Sequence, residues 1–385
     1  MFGDTEKVNK TILHLDMNSY FASVEQQLNP SLREKPIGVI KAVGRTCIIA
    51  ASIEAKKYGI KTGMGTWEAK KLCPQIIFVP SQFDHYAEVT KKIIRLAKDY
   101  SPDVEVFSID EMFLDITDTQ TLWPGGSLEM ALDIKKRIKA EVGDWLTCSI
   151  GIGWSKLSAK TASEMQKPNG LTYLTTDNCL LMTDHLFVSE ICGIGRSRAN
   201  YLQSRGAFTL KDARCLADLP SEIYDLIFLR TNDSLVTGES DPKSVSRTFT
   251  TFKVTSSKFQ VLSLIRNLIE EVCLKLRDIN MTGRTFGVRL DKFQFRKTLF
   301  FATDDPEVIF SSIPKGIPEE IRFAGVWISN LVISNQLSVI SNRKNLFKAV
   351  DKINHKHGLF TVYPAKLMGM ELIRPEVNGF TSFFG

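Results

Sequence analysis

No two cysteines of this chain stand in a C-x-x-C spacing, although it carries seven. Cys47, Cys73, Cys148, Cys179, Cys192, Cys215 and Cys273 are scattered, which argues against both a zinc-ribbon site and a disulfide framework and fits a reducing, cytoplasmic compartment. No apolar run is long enough to cross a bilayer, and the polar N-terminus has no signal-peptide core. Repeats and low-complexity tracts are also missing. What remains is an ordinary folded composition, 43% hydrophobic and 24% charged, spread over a length that calls for two to four domains. The net charge of +6 is compatible with a polyanionic partner without demanding one.

Against this plain background the run Val104 to Ile116 stands out. It is an apolar stretch of strand character with two adjacent carboxylates, Asp110 and Glu111, in its middle. Holding two like charges beside a core is costly unless they share a cation, so the pair is a candidate divalent-metal site. A solvated hairpin with incidental acids is the plainer reading. A third carboxylate, Asp16, ends the first strand-like run, Thr11 to Asp16. If the two strands are neighbours in one sheet, three carboxylates converge at its end, an oxygen-rich environment suited to Mg²⁺ with substrate phosphates as further ligands. Two such ions about 3.5–4 Å apart activate an attacking oxygen and neutralise a leaving pyrophosphate. Asp115 and Asp118 read as strand-end or turn residues.

The periodicity predicts a helix after Asn18-Ser19, with Phe21, Val24 and Leu28 on one face and the two polar residues as caps. Asn29-Pro30 and Lys35-Pro36 end it. Short strands are expected at 37–40 and 46–50, small helices at 53–58 and 66–72, and a long amphipathic helix over 81–99. A helix over 127–142 is expected to bury Leu128, Ala131, Leu132, Ile134 and Ile138. A strand at 146–152 and a basic-edged helix at 156–165 follow. Strand, helix, acidic hairpin, helix, strand is the order of a ferredoxin-like or palm-type sheet. Beyond Gly170 come short helical pieces, a linker at 241–245, and a second α/β region with strands expected at 285–293 and 326–333 and helices at 262–277 and 345–355.

The segment His14-Leu15-Asp16-Met17-Asn18-Ser19-Tyr20-Phe21-Ala22-Ser23-Val24-Glu25, together with Ser108-Ile109-Asp110-Glu111, resembles the two signature motifs of the Y-family translesion DNA polymerases. A third block, Gly151-Ile152-Gly153 through Lys156, Ala159-Lys160 and Lys167-Pro168-Asn169-Gly170, has the same family's order and spacing. The resemblance runs from about residue 10 to beyond 330. It implies an α/β (α+β) multidomain right-hand polymerase: a ferredoxin-like palm (1–19 and 87–175), small fingers (20–86), a helical helix-hairpin-helix thumb (176–240), an α/β little finger (246–336) and a C-terminal extension (337–385). The implied activity is low-fidelity, template-directed synthesis across damaged DNA with two Mg²⁺ per active site.

Carried over by position, the resemblance makes Asp16, Asp110 and Glu111 catalytic metal ligands, joined by the backbone carbonyl of Met17. Phe21 falls at a steric gate that excludes a ribose 2′-hydroxyl, although its helix face suits core packing equally. Lys167 falls on the incoming triphosphate. Ala50 and Ile53 replace the threonine and tyrosine that many members place on that triphosphate, leaving Lys56 as the charged contact. Around Ile49 to Lys56 and in the C-terminal extension the pattern leans to the UmuC-like branch; elsewhere it suits the DinB-like branch as well. Asn18 replaces a second acid and removes no ligand.

Gly193 and Gly195, followed by Arg196, Arg198 and Arg205, resemble a helix-hairpin-helix that brings backbone N–H groups to a DNA phosphate. The region from 245 to 336 holds thirteen Lys/Arg against nine Asp/Glu, with Arg247, Arg284, Arg289, Lys292, Arg296 and Lys297 as candidate phosphate contacts. Gln336-Leu337-Ser338-Val339-Ile340 is similar to a bacterial clamp-binding peptide, with Gln336, Leu337 and Ile340 as its anchors. The implied partners are primer–template DNA, dNTP, a sliding clamp and, on the UmuC-like reading, a UmuD-like accessory subunit. A non-enzymatic DNA-binding relative and another palm-fold phosphoryl-transfer enzyme are the alternatives.

Overall fold

The computed structural model describes residues 10–41, 47–231, 234–238, 241–251, 254–255, 257–334, 344–358, 361–363 and 365. The chain divides into two compact units, Met1–Gly238 and Glu239–Gly385.

The first unit opens with β1 (Ile12–Met17) and α1 (Tyr20–Leu28). Next come β2 (Ile37–Ile40), β3 (Ile48–Ala51), α2 (Ile53–Lys56), α3 (Thr66–Leu72) and β4 (Ile77–Pro80). Then follow α4 (Phe83–Lys98), β5 (Val104–Val106), β6 (Glu111–Asp115), α5 (Gly126–Arg137), β7 (Cys148–Gly153), α6 (Lys156–Met165) and β8 (Leu171–Tyr173). Strands β5-β6-β1-β7-β8 form one sheet in that order, so β1 lies between the acidic hairpin and β7. Its core joins Leu13, Leu15, Met112, Leu114, Ile150 and Ile152 to Tyr86 and Ile93 of α4 and Ile134 of α5.

On α5 the buried apolar positions are Met130, Ala131 and Ile134, continued by Ile138, while Leu128 and Leu132 face solvent. The expected apolar set mixed two faces of the helix. Positions 130, 134 and 138 recur at four-residue spacing, whereas 128 and 132 lie about half a turn away.

Close packing of α6 on β7 depends on glycine. A Cβ built on Gly151 would lie 2.0 Å from the Ala159 carbonyl oxygen and 2.3 Å from the Ser163 nitrogen. Both are backbone atoms that no rotamer change can move. We expect Gly151→Ala to destabilise the first unit by about 3 kcal/mol or more, seen as a lowered denaturation midpoint; an unchanged midpoint would show that the two elements can separate without cost.

The insertion between α1 and α4 builds its own three-stranded sheet, β3-β2-β4, over Ile40, Ile48, Ala55, Ile60, Ala69 and Cys73. Phe21 touches both the palm core and the small cluster where Ala22 meets this sheet. After β8, four short helices, α7 (Cys179–Thr183), α8 (Arg196–Ser204), α9 (Leu210–Arg214) and α10 (Ser221–Ile227), close around Ile191, Ile194, Leu202, Leu210 and Ile227 and rest on Leu157 and Ala162 of α6. The chain beyond α10 returns to the palm. Leu235 packs against Ile12, Phe113 and Ala159, and the Val236 N–H donates to Glu105, which also holds Lys156 at 2.9 Å.

The second unit comprises β9 (Ser244–Thr250), α11 (Lys258–Asp278), β10 (Met281–Leu290), β11 (Phe293–Thr303), α12 (Pro306–Ser311), β12 (Phe323–Ile333) and α13 (Lys344–His357). Its sheet runs β11-β10-β12-β9, all antiparallel. The single strand expected over 285–293 is the end of β10 plus a hairpin turn. Asp291 adopts φ 46° there, the left-handed geometry a two-residue turn needs, and an alternating pattern that runs on through such a turn hides it.

Candidate active site

Antiparallel pairing of β1 with β6 sets Asp16 opposite Glu111, and the Met17 N–H donates to the Asp110 carbonyl at 2.9 Å. The sheet therefore brings the three acidic residues to one edge. Their carboxylates are each engaged separately. Lys167 Nζ lies 2.9 Å from Asp16 and 2.6 Å from Glu164. Lys160 Nζ donates to Glu111 at 2.5 Å, with His14 Nε2 3.4 Å from the same oxygen. Asp110 accepts from the Ser108 hydroxyl at 2.5 Å. Among the described residues no three His, Cys, Asp or Glu side chains come close enough together to hold a metal ion. This differs from the expected three-carboxylate cluster. Like charges at one edge repel, and each acid here is satisfied by its own ammonium or hydroxyl.

Burial pushes the Asp16 carboxyl up to about 6, against the pull of Lys167. Burial also acts upward on Glu111, but the His14 hydrogen bond and Lys160 win and bring it down to about 2. The donor set fits a divalent cation in kind: hard carboxylate oxygens and a neighbouring main-chain carbonyl.

Because the folded Asp16 titrates above its ordinary value, its contribution to stability is full below about pH 4 and lost as pH rises through about 6. Asp16→Asn is therefore expected to stabilise the metal-free protein by about 1–3 kcal/mol at pH 7.5, with the gain vanishing by pH 4. Thermal unfolding at the two pH values checks this; an equal effect at both would remove the burial argument.

Phe21, half-buried on α1, stacks on Tyr86 at 4.4 Å and 16° and meets Phe83 edge-on at 5.6 Å. Packing and a gate position are thus compatible in one residue. Lys56 is exposed at the end of α2, and its ammonium is pushed down by burial of its charged end and by Lys167, while Asp16, Glu164 and Asp110 act oppositely. It therefore belongs to the electrostatic field of the same edge. Ala50 packs on the small cluster between α1 and the fingers sheet, and Ile53 is half-buried beside it in the chain.

Sequence reasoning missed how Lys160, His14 and Asn18 serve this edge. Lys160 was visible only as a motif letter. His14 is fully buried and bonded to the Ser163 hydroxyl at 2.8 Å, a contact across 149 residues that no local pattern announces. Ser19 starts α1 at φ 47° but makes no side-chain capping bond, and Asn18 points elsewhere.

The matching family models are the impB/mucB/samB family over residues 15–164 and that family's C-terminal domain over 242–341. The chain is 31% identical to the DNA polymerase IV of Desulfatibacillum aliphaticivorans over 93% of its own length and 96% of that protein's. It is 33% identical to the DNA polymerase IV of Pelotomaculum thermopropionicum, with 92% and 94% covered. The chain belongs to the Y family of translesion DNA polymerases. It is a DNA-directed DNA polymerase, and these relatives place it on the DinB-like side of the two branches its sequence resembles. A solved Y-family DNA polymerase chimera shares its fold, with TM-score 0.72 at 24% identity over 84% of this chain and 99% of that one.

In the four-helix region Gly193 takes φ 89°, and Gly195 precedes the first residue of α8, the exposed Arg196. Arg198 donates to the Gly193 carbonyl at 2.8 Å, and Arg205 to the Ala217 carbonyl at 2.9 Å, so both are occupied within the fold. In the second unit Arg247 pairs with Glu271 on the helix-covered face, the arginine 11% and the glutamate 4% exposed, which withdraws it from the phosphate contacts expected of it. Val245 and Phe249, two residues either side, join the same core and fix that orientation. Arg289 and Arg296 are exposed; Gly287, cross-strand partner of Arg296, lies under the Trp327 ring. Gln336, Leu337 and Ile340 lie outside the described residues. No helix among the described residues is long and apolar enough to cross a membrane.

Proposed function

We propose that nucleotidyl transfer takes place at the β1–β6 edge, with Asp16, Asp110, Glu111 and the Met17 carbonyl as ligands of two Mg²⁺. The observation that carries this reading is the cross-strand pairing of Asp16 with Glu111, beside the two lysines that already neutralise them. When bound, the ions lower the proton affinity of the primer 3′-hydroxyl and stabilise the leaving pyrophosphate. Lys167 and Lys56 supply positive charge for the triphosphate. Phe21 packs under the sugar and excludes a 2′-hydroxyl. The fixed backbone dipoles and ammoniums of the edge need no reorganisation as charge develops.

The helix-hairpin-helix at Gly193, Gly195 and Arg196 and the exposed Arg289 and Arg296 serve as backbone-phosphate contacts that hold primer–template DNA without reading its sequence. A sliding clamp engages Gln336, Leu337 and Ile340; this part rests on the peptide's sequence and its place after the second unit's last strand. The UmuD-like subunit has no supporting observation and is not carried into the proposal.

The test is primer extension by the purified chain on undamaged and abasic templates, with Mg²⁺ and with chelator. Incorporation on both templates that chelation abolishes and Mg²⁺ restores is expected. Extension indifferent to chelation would overturn the two-ion assignment. Stimulation by clamp that Gln336→Ala removes would support the peptide, and equal stimulation of both forms would exclude it.

A further inference from the structure

The segment Lys167–Gly170 carries the ammonium that reaches Asp16, yet it belongs to no helix or strand. It is held by two side chains to which the polymerase reading gives no task. Asn18 is 5% exposed. Its Oδ1 accepts from the Asn169 N–H at 2.7 Å and from the Thr147 hydroxyl at 3.1 Å, and its Nδ2 donates to Ser149 Oγ at 2.9 Å. Its own N–H donates to the Thr147 carbonyl, while its carbonyl accepts from the Ser23 hydroxyl. From the other side Lys135 Nζ donates to the carbonyls of Asn169 at 2.9 Å, Gly170 at 3.1 Å and Cys148 at 2.7 Å.

The chemistry of the carboxamide suits this place. It offers a donor and an acceptor at once and adds no charge two residues from the buried Asp16 carboxylate. An aliphatic residue would leave the Asn169 N–H and the Thr147 and Ser149 hydroxyls without this partner. The junction would then be tied through Lys135, β7 and the ion pairs of Lys167 itself.

We propose that Asn18 is a positioning residue for the incoming nucleotide: by fixing Asn169 it sets the place of Lys167 against the triphosphate. This rests on the reading that Lys167 binds that triphosphate. Asn18 acts through Lys167 and touches no substrate itself, so its loss misplaces a charge whose value depends on ångström-scale placement.

A double-mutant cycle tests it on the full chain with primer–template DNA. Asn18→Ala is expected to raise the KM for dNTP about ten- to a hundredfold while the Kd for primer–template stays unchanged. Asn18→Asp, which keeps both acceptor contacts but gives up the donor to Ser149 and adds a charge near Asp16, is expected to recover part of that loss, and no recovery at all would count against the acceptor contact to Asn169. In a Lys167→Ala background, adding Asn18→Ala is expected to change KM less than about twofold, because the group it positions is gone. Full multiplicative effects in both backgrounds would overturn the proposal, as would a lowered Tm with KM unchanged. If Lys167→Ala alone leaves KM unaltered, the failure belongs to the triphosphate reading beneath it.

Discussion

Asp110→Asn is expected to cut dNTP incorporation by about a thousandfold or more while leaving the protein folded. The size follows from the charge removed: stabilising the developing pyrophosphate and 3′-oxyanion is worth several kcal/mol, and each 1.36 kcal/mol is a factor of ten in rate. The fold should tolerate the change, because the Asp110 side chain is only partly buried and accepts from the Ser108 hydroxyl, whose oxygen in turn accepts from the Asp110 N–H. The Met17 N–H bond goes to its main-chain carbonyl, which the substitution keeps. Single-turnover primer extension with saturating dNTP, set beside thermal unfolding, separates the two effects. A variant within tenfold of wild type would remove Asp110 from the catalytic set. Glu111→Gln provides a contrast. It also loses a charge, but one that Lys160 and His14 hold at the core edge, so a measurable loss of stability should accompany its loss of rate.

The second large effect is expected at Phe21. Phe21→Ala should lower discrimination against ribonucleotides by about two to three orders of magnitude, read as the ratio of kcat/KM for dNTP and rNTP. A steric clash of about 3–4 kcal/mol with the 2′-hydroxyl corresponds to that factor, since 1.36 kcal/mol is tenfold in rate. The same change removes a ring stacked on Tyr86 and edge-on to Phe83, so a stability loss of about 2–3 kcal/mol comes with it. Phe21→Leu keeps much of the packing volume while shortening the reach of the side chain. It should therefore relax sugar selection with a stability cost below about 1.5 kcal/mol. Selectivity unchanged in both variants would leave Phe21 as a packing residue alone.

How much of this was legible in the sequence divides along physical lines. Helix α6 falls at the expected residues because Ser155 caps its start and its own periodicity defines the buried face of Leu157, Ala159 and Ala162; α3 also falls there, although Ala69 is its one buried residue. The pairing of the first strand with the acidic hairpin was conditional in the sequence and is present in the fold, since alternation could place Asp16 and Glu111 at strand ends but could not choose partners. The misses are long-range. Arg247 reads as one more basic residue of a basic domain. Only the register of β9 turns it inward to Glu271. Asn18 reads as a helix cap, a local role, yet its side-chain partners are 129 to 151 residues away. The three acids read as a ready cluster. The lysines that separate them come from α6 and the segment after it, whose approach to the edge depends on Gly151 and Gly153.

Phe21 stands on α1, before the insertion, and Phe83 and Tyr86 stand on α4, after it, so the two flanking helices meet in one aromatic stack. Tyr86 is bolted further, its hydroxyl to Glu25 at 2.5 Å and its carbonyl to Tyr20 at 2.7 Å, and Thr90, one turn on, reaches the Ile109 carbonyl at 2.6 Å. With both flanking helices held in this stack, the amides around Tyr86 should be among the slowest in the first unit to exchange with solvent. If Phe21 is the sugar gate proposed above, that ring is part of the joint itself, so that any substitution loosening the joint would also loosen the surface that inspects the sugar.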